Sequence, residues 1–145
     1  MELRVHSHAT EVERKVTESV LKLLPEDLDY TIFQKETLLM SAGNALRVFS
    51  FMTKDKKIID FFLQKLADIL TREDKRYLNN TLENRIEYEK TVYIRLNKQY
   101  MLQDHAIVEE GSDVIQIRIT IAMVGPVEDR IGVIREMLLE KNIIA

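Results

Sequence analysis

One segment of the chain alternates apolar and polar side chains without interruption, and it limits the folds available more than any other feature. Between Asp113 and Val124, apolar side chains occupy positions 115, 117, 119, 121 and 123. Gln116, Arg118 and Thr120 lie between them. A period of two residues is typical of a strand that buries one face and leaves the other in solvent. The sequence therefore predicts a sheet that is covered on one side only.

Other segments have strand character as well. Residues 3–9 alternate in the same way, as do residues 91–97. Residues 28–37 and 45–52 are rich in Ile, Phe, Val and Thr, and Gly43-Asn44 lies between them. We interpret this pair as a hairpin with a longer connecting loop.

Helical segments separate these strands. Thr10 and Glu13 form a capping-box pattern at the start of a helix that Pro25 ends. A second helix is predicted over residues 54–70, and a third begins at a Thr71–Asp74 cap and runs to about Asn84 or Ile86. Pro126 suits the first turn of a last helix.

The predicted order is β-α-β-β-α-α-β-β-α within one domain that covers residues 1–145. Strands with one apolar and one polar face indicate a mainly antiparallel sheet with helices on one face. We therefore predict an α+β two-layer sandwich.

Composition excludes several classes of protein. With 46% hydrophobic and 31% charged residues, the chain can bury a core and remain soluble. It contains no cysteine, which rules out disulfides, thiolate zinc sites and cysteine nucleophiles. It shows no secretory signal and no apolar run of about 18 residues, so we expect a cytoplasmic protein without a membrane partner.

The charge balance argues against a simple nucleic-acid binder. Lys and Arg total 21 against 24 Asp and Glu, which gives a formal net charge of −3. Phosphate neutralisation provides most non-specific affinity for nucleic acid, so an acidic protein needs a local basic surface to bind it.

The predicted solvent-facing side of the sheet offers such a surface. It combines groups that bind phosphate, hydrogen-bond to bases and stack on bases. Its members are Arg4, His6, His8, Tyr93, Arg95, Asn97, Gln116, Arg118 and Thr120. Three interpretations remain open at this point: an RNA platform, an ordinary solvated face, and the interface of a homodimer.

A second basic group lies near the start of the third helix. Arg72, Lys75 and Arg76 have the spacing that places side chains on one helical face. Glu73 and Asp74 lie among them, so the alternative is an ordinary solvated surface of mixed charge.

Enzyme and cofactor motifs are scarce. His6 and His8 share a strand face, and His105 could add a third ligand to a metal site, but no second-shell carboxylate is evident for them. The chain has no phosphate-binding glycine loop, no G-x-S-x-G and no H-E-x-x-H. We therefore expect neither a catalytic site nor a cofactor, and a metal-dependent hydrolase is a distant third alternative.

Three strings, taken in order, resemble one archaeal RNA-binding protein family whose members carry the label predicted exosome subunit. They are Val5-His6-Ser7-His8-Ala9-Thr10-Glu11, Tyr93-Ile94-Arg95-Leu96-Asn97-Lys98-Gln99 and Gly111-Ser112-Asp113-Val114-Ile115-Gln116-Ile117-Arg118-Ile119. The family is similar in length, so the resemblance covers nearly the whole chain.

The resemblance implies an α+β fold like that of the large-subunit ribosomal protein that contacts 5S ribosomal RNA. It also implies an RNA-related role. We therefore predict a non-enzymatic RNA-binding protein that is accessory to RNA processing or degradation, with exosome components as potential partners. The matching polar positions are Arg95, Asn97, Lys98, Gln99, Gln116 and Arg118. Together with Arg4 and Tyr93 they are our candidate RNA contacts; the alternative is a protein-interaction module or homodimer.

The chain departs from the family in one loop. Family members carry two histidines between glycines, followed by Asn-Pro, between the second and third strands. Here residues 40–46 read Met-Ser-Ala-Gly-Asn-Ala-Leu, so both histidines and the proline are missing. Any chemistry of those histidines cannot be transferred, although Gly43-Asn44 can keep the turn because both residues tolerate positive φ.

Overall fold

The structure is a computed structural model that describes residues 1–8, 11–40, 43–123 and 126–145. Its strands are β1 (Glu2–Ser7), β2 (Gln34–Leu39), β3 (Ala45–Met52), β4 (Ile86–Glu87), β5 (Thr91–Asn97) and β6 (Val114–Thr120). Its helices are α1 (Glu13–Leu21), α2 (Lys56–Ile69), α3 (Arg72–Asn80), α4 (Lys98–Met101) and α5 (Arg130–Glu140). Two short 3-10 turns, Tyr30–Ile32 and Leu82–Arg85, complete the regular structure.

The strands form one sheet in the order β2-β3-β1-β6-β5-β4, and every neighbouring pair is antiparallel. The predicted α+β two-layer sandwich is therefore confirmed. Within the described residues, no helix combines the length and the apolar character needed to cross a membrane.

Alternation explains where the core lies. Leu3 and Val5 of β1, Ile94 and Leu96 of β5, and Ile115 and Ile117 of β6 are almost completely buried on one side of the sheet. The helices bury their apolar residues in the same cluster; these include Val16, Val20, Phe62, Leu66, Ile134 and Leu138. The polar residues that alternate with these buried positions lie on the other side of the sheet, which we call the open face.

Several predicted elements have the expected limits. The strands over 45–52 and 91–97 are found with those bounds, and Thr71 caps α3 by accepting a hydrogen bond from the Asp74 amide at 3.1 Å. Gly43 adopts a φ of +80°, as expected for the turn that closes the β2–β3 hairpin. Met40 and Asn44 pair across that turn, and residues 41 and 42 lie outside the described chain.

Other boundaries differ from the prediction because side chains cap the backbone locally. The strand predicted from residue 28 begins only at Gln34, since Asp29 accepts a hydrogen bond from the Thr31 amide and starts a 3-10 turn. The last helix begins at Arg130 instead of Pro126, because Asp129 caps it at the Gly132 amide.

Three more predicted boundaries of helices and strands are wrong. The third helix ends at Asn80 and continues as a 3-10 turn, and the 113–124 strand ends at Thr120. The first helix begins at Glu13 without a side-chain cap, and Thr10 of the predicted capping box lies outside the described residues. The strand β4 and the helix α4 were not predicted; each is shorter than the windows in which periodicity is visible.

Candidate nucleic-acid interface

Strand register places three predicted contacts side by side on the open face. Arg4 of β1 is opposite Gln116 of β6, and Gln116 is opposite Arg95 of β5. Ser50 of β3 lies on the other side of Arg4. Directly opposed residues of antiparallel strands point to the same side of the sheet. These four residues therefore form one continuous polar row.

A second row runs parallel to the first. Arg118 of β6 is opposite Glu2 on one side and Tyr93 on the other. Its guanidinium lies 3.1 Å from the Glu2 carboxylate and 5.2 Å from the centre of the Tyr93 ring. The Tyr93 hydroxyl donates a hydrogen bond to Glu87 at 2.8 Å. Burial and this hydrogen bond raise the pKa of Tyr93 against the opposing charge of Arg118, so its hydroxyl remains a donor.

Glutamates also accompany the remaining polar residues of β5. Arg95 lies 3.9 Å from the Glu110 carboxylate, and the Asn97 amide donates to both oxygens of Glu109 at 3.2 Å. These carboxylates reduce the net positive charge of the face.

Arg4 differs from the other two arginines. Among the described residues it has no acidic partner, and its Nε is buried without a hydrogen bond. The charge of its guanidinium is thus not offset by a described carboxylate, and a guanidinium group binds anions through charge-assisted hydrogen bonds. The centre of the polar row is therefore its strongest candidate site for an anionic group.

Lys98 is the first residue of α4, directly after β5, and its side chain is buried instead of exposed on the open face. Only 2% of its side chain is exposed. Its ammonium donates to the His6 carbonyl oxygen at 2.8 Å and to Glu11 at 2.8 Å, and it lies 2.6 Å from Asp113. Each of these acceptors belongs to a string that carries the family resemblance. The three strings therefore meet at one buried cation.

The same cluster bears on the metal alternative. His8, Glu11 and Asp113 place their ligand atoms within 4.8 Å of one another. Lys98 already supplies the positive charge that these carboxylates need, and His8 lies 3.3 Å from Asp113. Burial raises the pKa of Asp113, but the hydrogen bond and the charge of Lys98 outweigh it and hold the pKa below its ordinary value. This geometry is that of a salt-bridge network.

His6 lies on the open face, next to Arg4 along β1. Burial lowers its pKa, and the charges of Arg4, His8 and Lys98 lower it further, while Asp113 opposes them. His6 is therefore a neutral hydrogen-bonding group near neutral pH.

The structure separates the remaining predicted residues from the two rows. Gln99 lies in α4, where its amide is 3.5 Å from Glu11. On α3, Arg72 and Arg76 are exposed, but Lys75 is only 8% exposed. The predicted patch of three basic residues is therefore reduced to two.

Sequence reasoning missed the acidic residues of the interface. Glu2 and Arg4 are two residues apart in β1, so alternation alone could have placed Glu2 on the open face as well. Glu87, Glu109 and Glu110 gave no such signal, because their positions depend on how the chain returns to the edge of β5.

The chain matches a family model described as RNA binding over residues 1–121. It is also 33% identical to the RNA-binding protein PAB1135 of Pyrococcus abyssi over 124 residues, which are 82% of this chain and 79% of that protein. The chain belongs to this RNA-binding family. The predicted resemblance to an archaeal RNA-binding family is thereby confirmed.

Solved structures share the fold of this chain. The chain superposes on protein AF2318 of Archaeoglobus fulgidus with a TM-score of 0.80, covering 97% of this chain and 96% of that chain at 20% identity. For Mth689 of Methanothermobacter thermautotrophicus the TM-score is 0.74, the coverage 97% and 94%, and the identity 20%. At this identity the similarity concerns the fold alone.

The Lys98 network generates the first prediction. We expect Lys98→Met to lower the free energy of unfolding by about 2–4 kcal/mol, because Glu11 and Asp113 lose their buried partner. The exposure of Asp113 limits the loss, since water can solvate its carboxylate. Urea denaturation followed by circular dichroism measures the change. Lys141→Met, which removes an exposed lysine, is the control and should change stability by less than about 0.5 kcal/mol. Equal values for both variants would contradict the assigned role of Lys98.

The lowered pKa of His6 generates the second prediction. Below about pH 6.5 an unfolded histidine binds a proton. Folded His6 resists protonation until a lower pH, so its contribution is complete above pH 6.5 and is lost as the pH falls toward the folded pKa. We expect His6→Gln to remove this component from the pH dependence of urea unfolding. His105→Gln changes an exposed histidine and should retain it; the same slope in wild type and His6→Gln would show the assignment to be wrong.

Proposed function

We propose that this chain binds single-stranded RNA on the open face of its sheet, as a non-enzymatic accessory to RNA processing or degradation. The observation that carries the proposal is the continuous row of Arg4, Gln116 and Arg95, with Arg118 and Tyr93 in the adjacent row. The family description and the name of the Pyrococcus abyssi relative support RNA as the ligand.

Each side chain has a role that follows from its chemistry. The guanidinium groups of Arg4, Arg95 and Arg118 bind phosphates through paired hydrogen bonds. Gln116 and Asn97 hydrogen-bond to bases or sugars, and the exposed part of the Tyr93–Arg118 stack offers a flat surface to an unpaired base. Lys98 is not among the proposed contacts, because its ammonium is already bound to protein acceptors.

The glutamates of the face determine the character of this binding. Glu2 pairs with Arg118, and Glu110 lies 3.9 Å from Arg95, so the charge of both arginines is partly offset. Counterion release therefore contributes modestly, and hydrogen bonding and stacking carry more of the affinity. Unstacked bases satisfy these contacts better than a regular duplex, whose base edges are paired.

The accessory role extends the proposal to partners. The family resemblance suggests association with exosome components, and the proposed contacts act by binding RNA instead of cleaving it. A protein of this kind would hold a substrate strand while a separate enzyme acts on it.

Arg4 provides the third prediction. We expect Arg4→Gln to weaken binding of a fluorescein-labelled decauridine about 5- to 20-fold in fluorescence anisotropy, because it removes a cation that has no acidic partner among the described residues. The slope of log affinity against log salt should fall by about 0.7, the value for one phosphate contact with a single strand.

Lys141→Gln provides the matched control, since it changes the net charge equally at an exposed position of the C-terminal segment. It should bind like the wild type. Equal affinities of the Arg4→Gln protein and this control, with both folded by circular dichroism, would refute the open face as the RNA site.

The second candidate function is protein interaction, and the edge strand β2 is the observation that favours it. All six residues of β2 are exposed, and Leu39 is 84% exposed. An exposed edge strand that ends in apolar side chains is a site for pairing with another chain. A homodimer formed through β2 would leave Arg4 accessible.

Size exclusion at increasing protein concentration tests this alternative and is the fourth prediction. If β2 mediates a homodimer, the apparent mass rises with concentration, and Leu39→Lys abolishes the rise without changing affinity for decauridine. A constant monomer mass would exclude the homodimer. A mass that rises only when RNA is added would instead indicate assembly on the ligand.

A further inference from the structure

We propose that a cavity beside β5 binds a phosphate group of single-stranded RNA, and that the Glu110 carboxylate occupies the phosphate position in the unliganded chain. This inference rests on the proposed function and adds a second anion site to it. The cavity has a volume of about 320 Å³ and lies between α3, the following 3-10 turn and β5. Its lining includes Tyr77, Arg85, Tyr93, Arg95 and Glu110.

Arg85 is the fixed cation of this cavity. Only 8% of its side chain is exposed, and its Nε donates to the Thr81 hydroxyl at 2.8 Å. The guanidinium carbon lies 5.3 Å from the centre of the Tyr77 ring. A buried arginine held in this way presents its remaining N–H groups in one direction at little further entropic cost.

Those N–H groups meet the side chain of Glu110. Its carboxylate forms an ion pair with Arg85, accepts a hydrogen bond from the Tyr77 hydroxyl at 3.3 Å and lies 3.9 Å from Arg95. Two guanidinium groups and a hydroxyl directed at one anion form the arrangement that also recognises phosphate. The protein therefore carries an anion-binding site that is filled by its own carboxylate.

Glu110 is suited to be displaced from this site. Its side chain is 51% exposed, and the residues from Glu109 to Asp113 are exposed and belong to no strand or helix. Gly111 follows with a φ of +134°, a conformation that L side chains rarely adopt. Removal of the carboxylate from the cavity therefore requires no change in the buried core.

The position of the cavity connects it with the open face. Tyr93 and Arg95 line the cavity and also belong to the two rows that contain Arg4, Gln116 and Arg118. An RNA strand that crosses the open face from Arg4 to Arg95 therefore brings its next phosphate to the cavity. That phosphate could be internal or could be the end of the strand.

The fifth prediction compares Glu110→Gln with Glu140→Gln. Both variants remove one negative charge, but Glu140 is an exposed residue at the end of α5. We expect Glu110→Gln to bind decauridine about 3- to 10-fold more tightly than the wild type, because a competing carboxylate is lost. Glu140→Gln should bind like the wild type. Adding Tyr77→Phe to Glu110→Gln should reverse part of the gain, since the incoming phosphate loses a hydrogen-bond donor.

A 5′-phosphorylated and a 5′-hydroxyl decauridine distinguish the two sources of phosphate. A gain confined to the first identifies a terminal phosphate, and an equal gain identifies a backbone phosphate. Unchanged or weaker binding by Glu110→Gln would overturn the cavity proposal, as would an equal gain in Glu140→Gln. If the wild type binds decauridine and Arg4→Gln weakens that binding, a negative result with Glu110→Gln overturns the cavity proposal but not the proposed function. Failure of the wild type to bind either oligonucleotide overturns the proposed function itself.

Discussion

The buried ammonium of Lys98 is the interaction on which the geometry of the open face depends. Lys98 directly follows the last residue of β5, and one of its acceptors is the backbone carbonyl of His6 in β1. These strands are not neighbours, because β6 lies between them. The hydrogen bond from the Lys98 ammonium to the His6 carbonyl passes the end of β6 and links β1 directly to the end of β5. Since a buried amine is tolerated only with its acceptors in place, this arrangement has little freedom to shift.

The open face combines arginines with glutamates, and this mixture agrees with the net charge of −3. A protein of that charge repels RNA at long range, so its affinity must come from contacts at short range. Glu2 keeps Arg118 against the Tyr93 ring, and Glu110 lies beside Arg95. In the proposed binding mode, the acids place the arginines before RNA arrives and also reduce indiscriminate binding to other polyanions.

Periodicity predicted the part of the fold that is governed by burial. Alternation in β1, β5 and β6 assigned Arg4, Arg95 and Arg118 to one face, and the register shows that they are close together. It could not show that Lys98, next in sequence to Asn97, turns inward, since that depends on acceptors distant in the chain. The burial of Lys75 and the cavity around Arg85 likewise arise from tertiary contacts, which leave no periodic signal in the sequence.

The two candidate functions use different halves of the same sheet. On the open face, β1, β6 and β5 carry Arg4, Gln116 and Arg95, whereas β2 and β3 place Leu38 opposite Leu46. Cationic and amide groups suit a phosphate backbone, and an exposed apolar edge suits another protein chain. A protein with both surfaces on one rigid sheet can hold an RNA strand on one half and remain attached to a partner through the other. RNA binding and membership of a larger complex are therefore compatible properties of this fold.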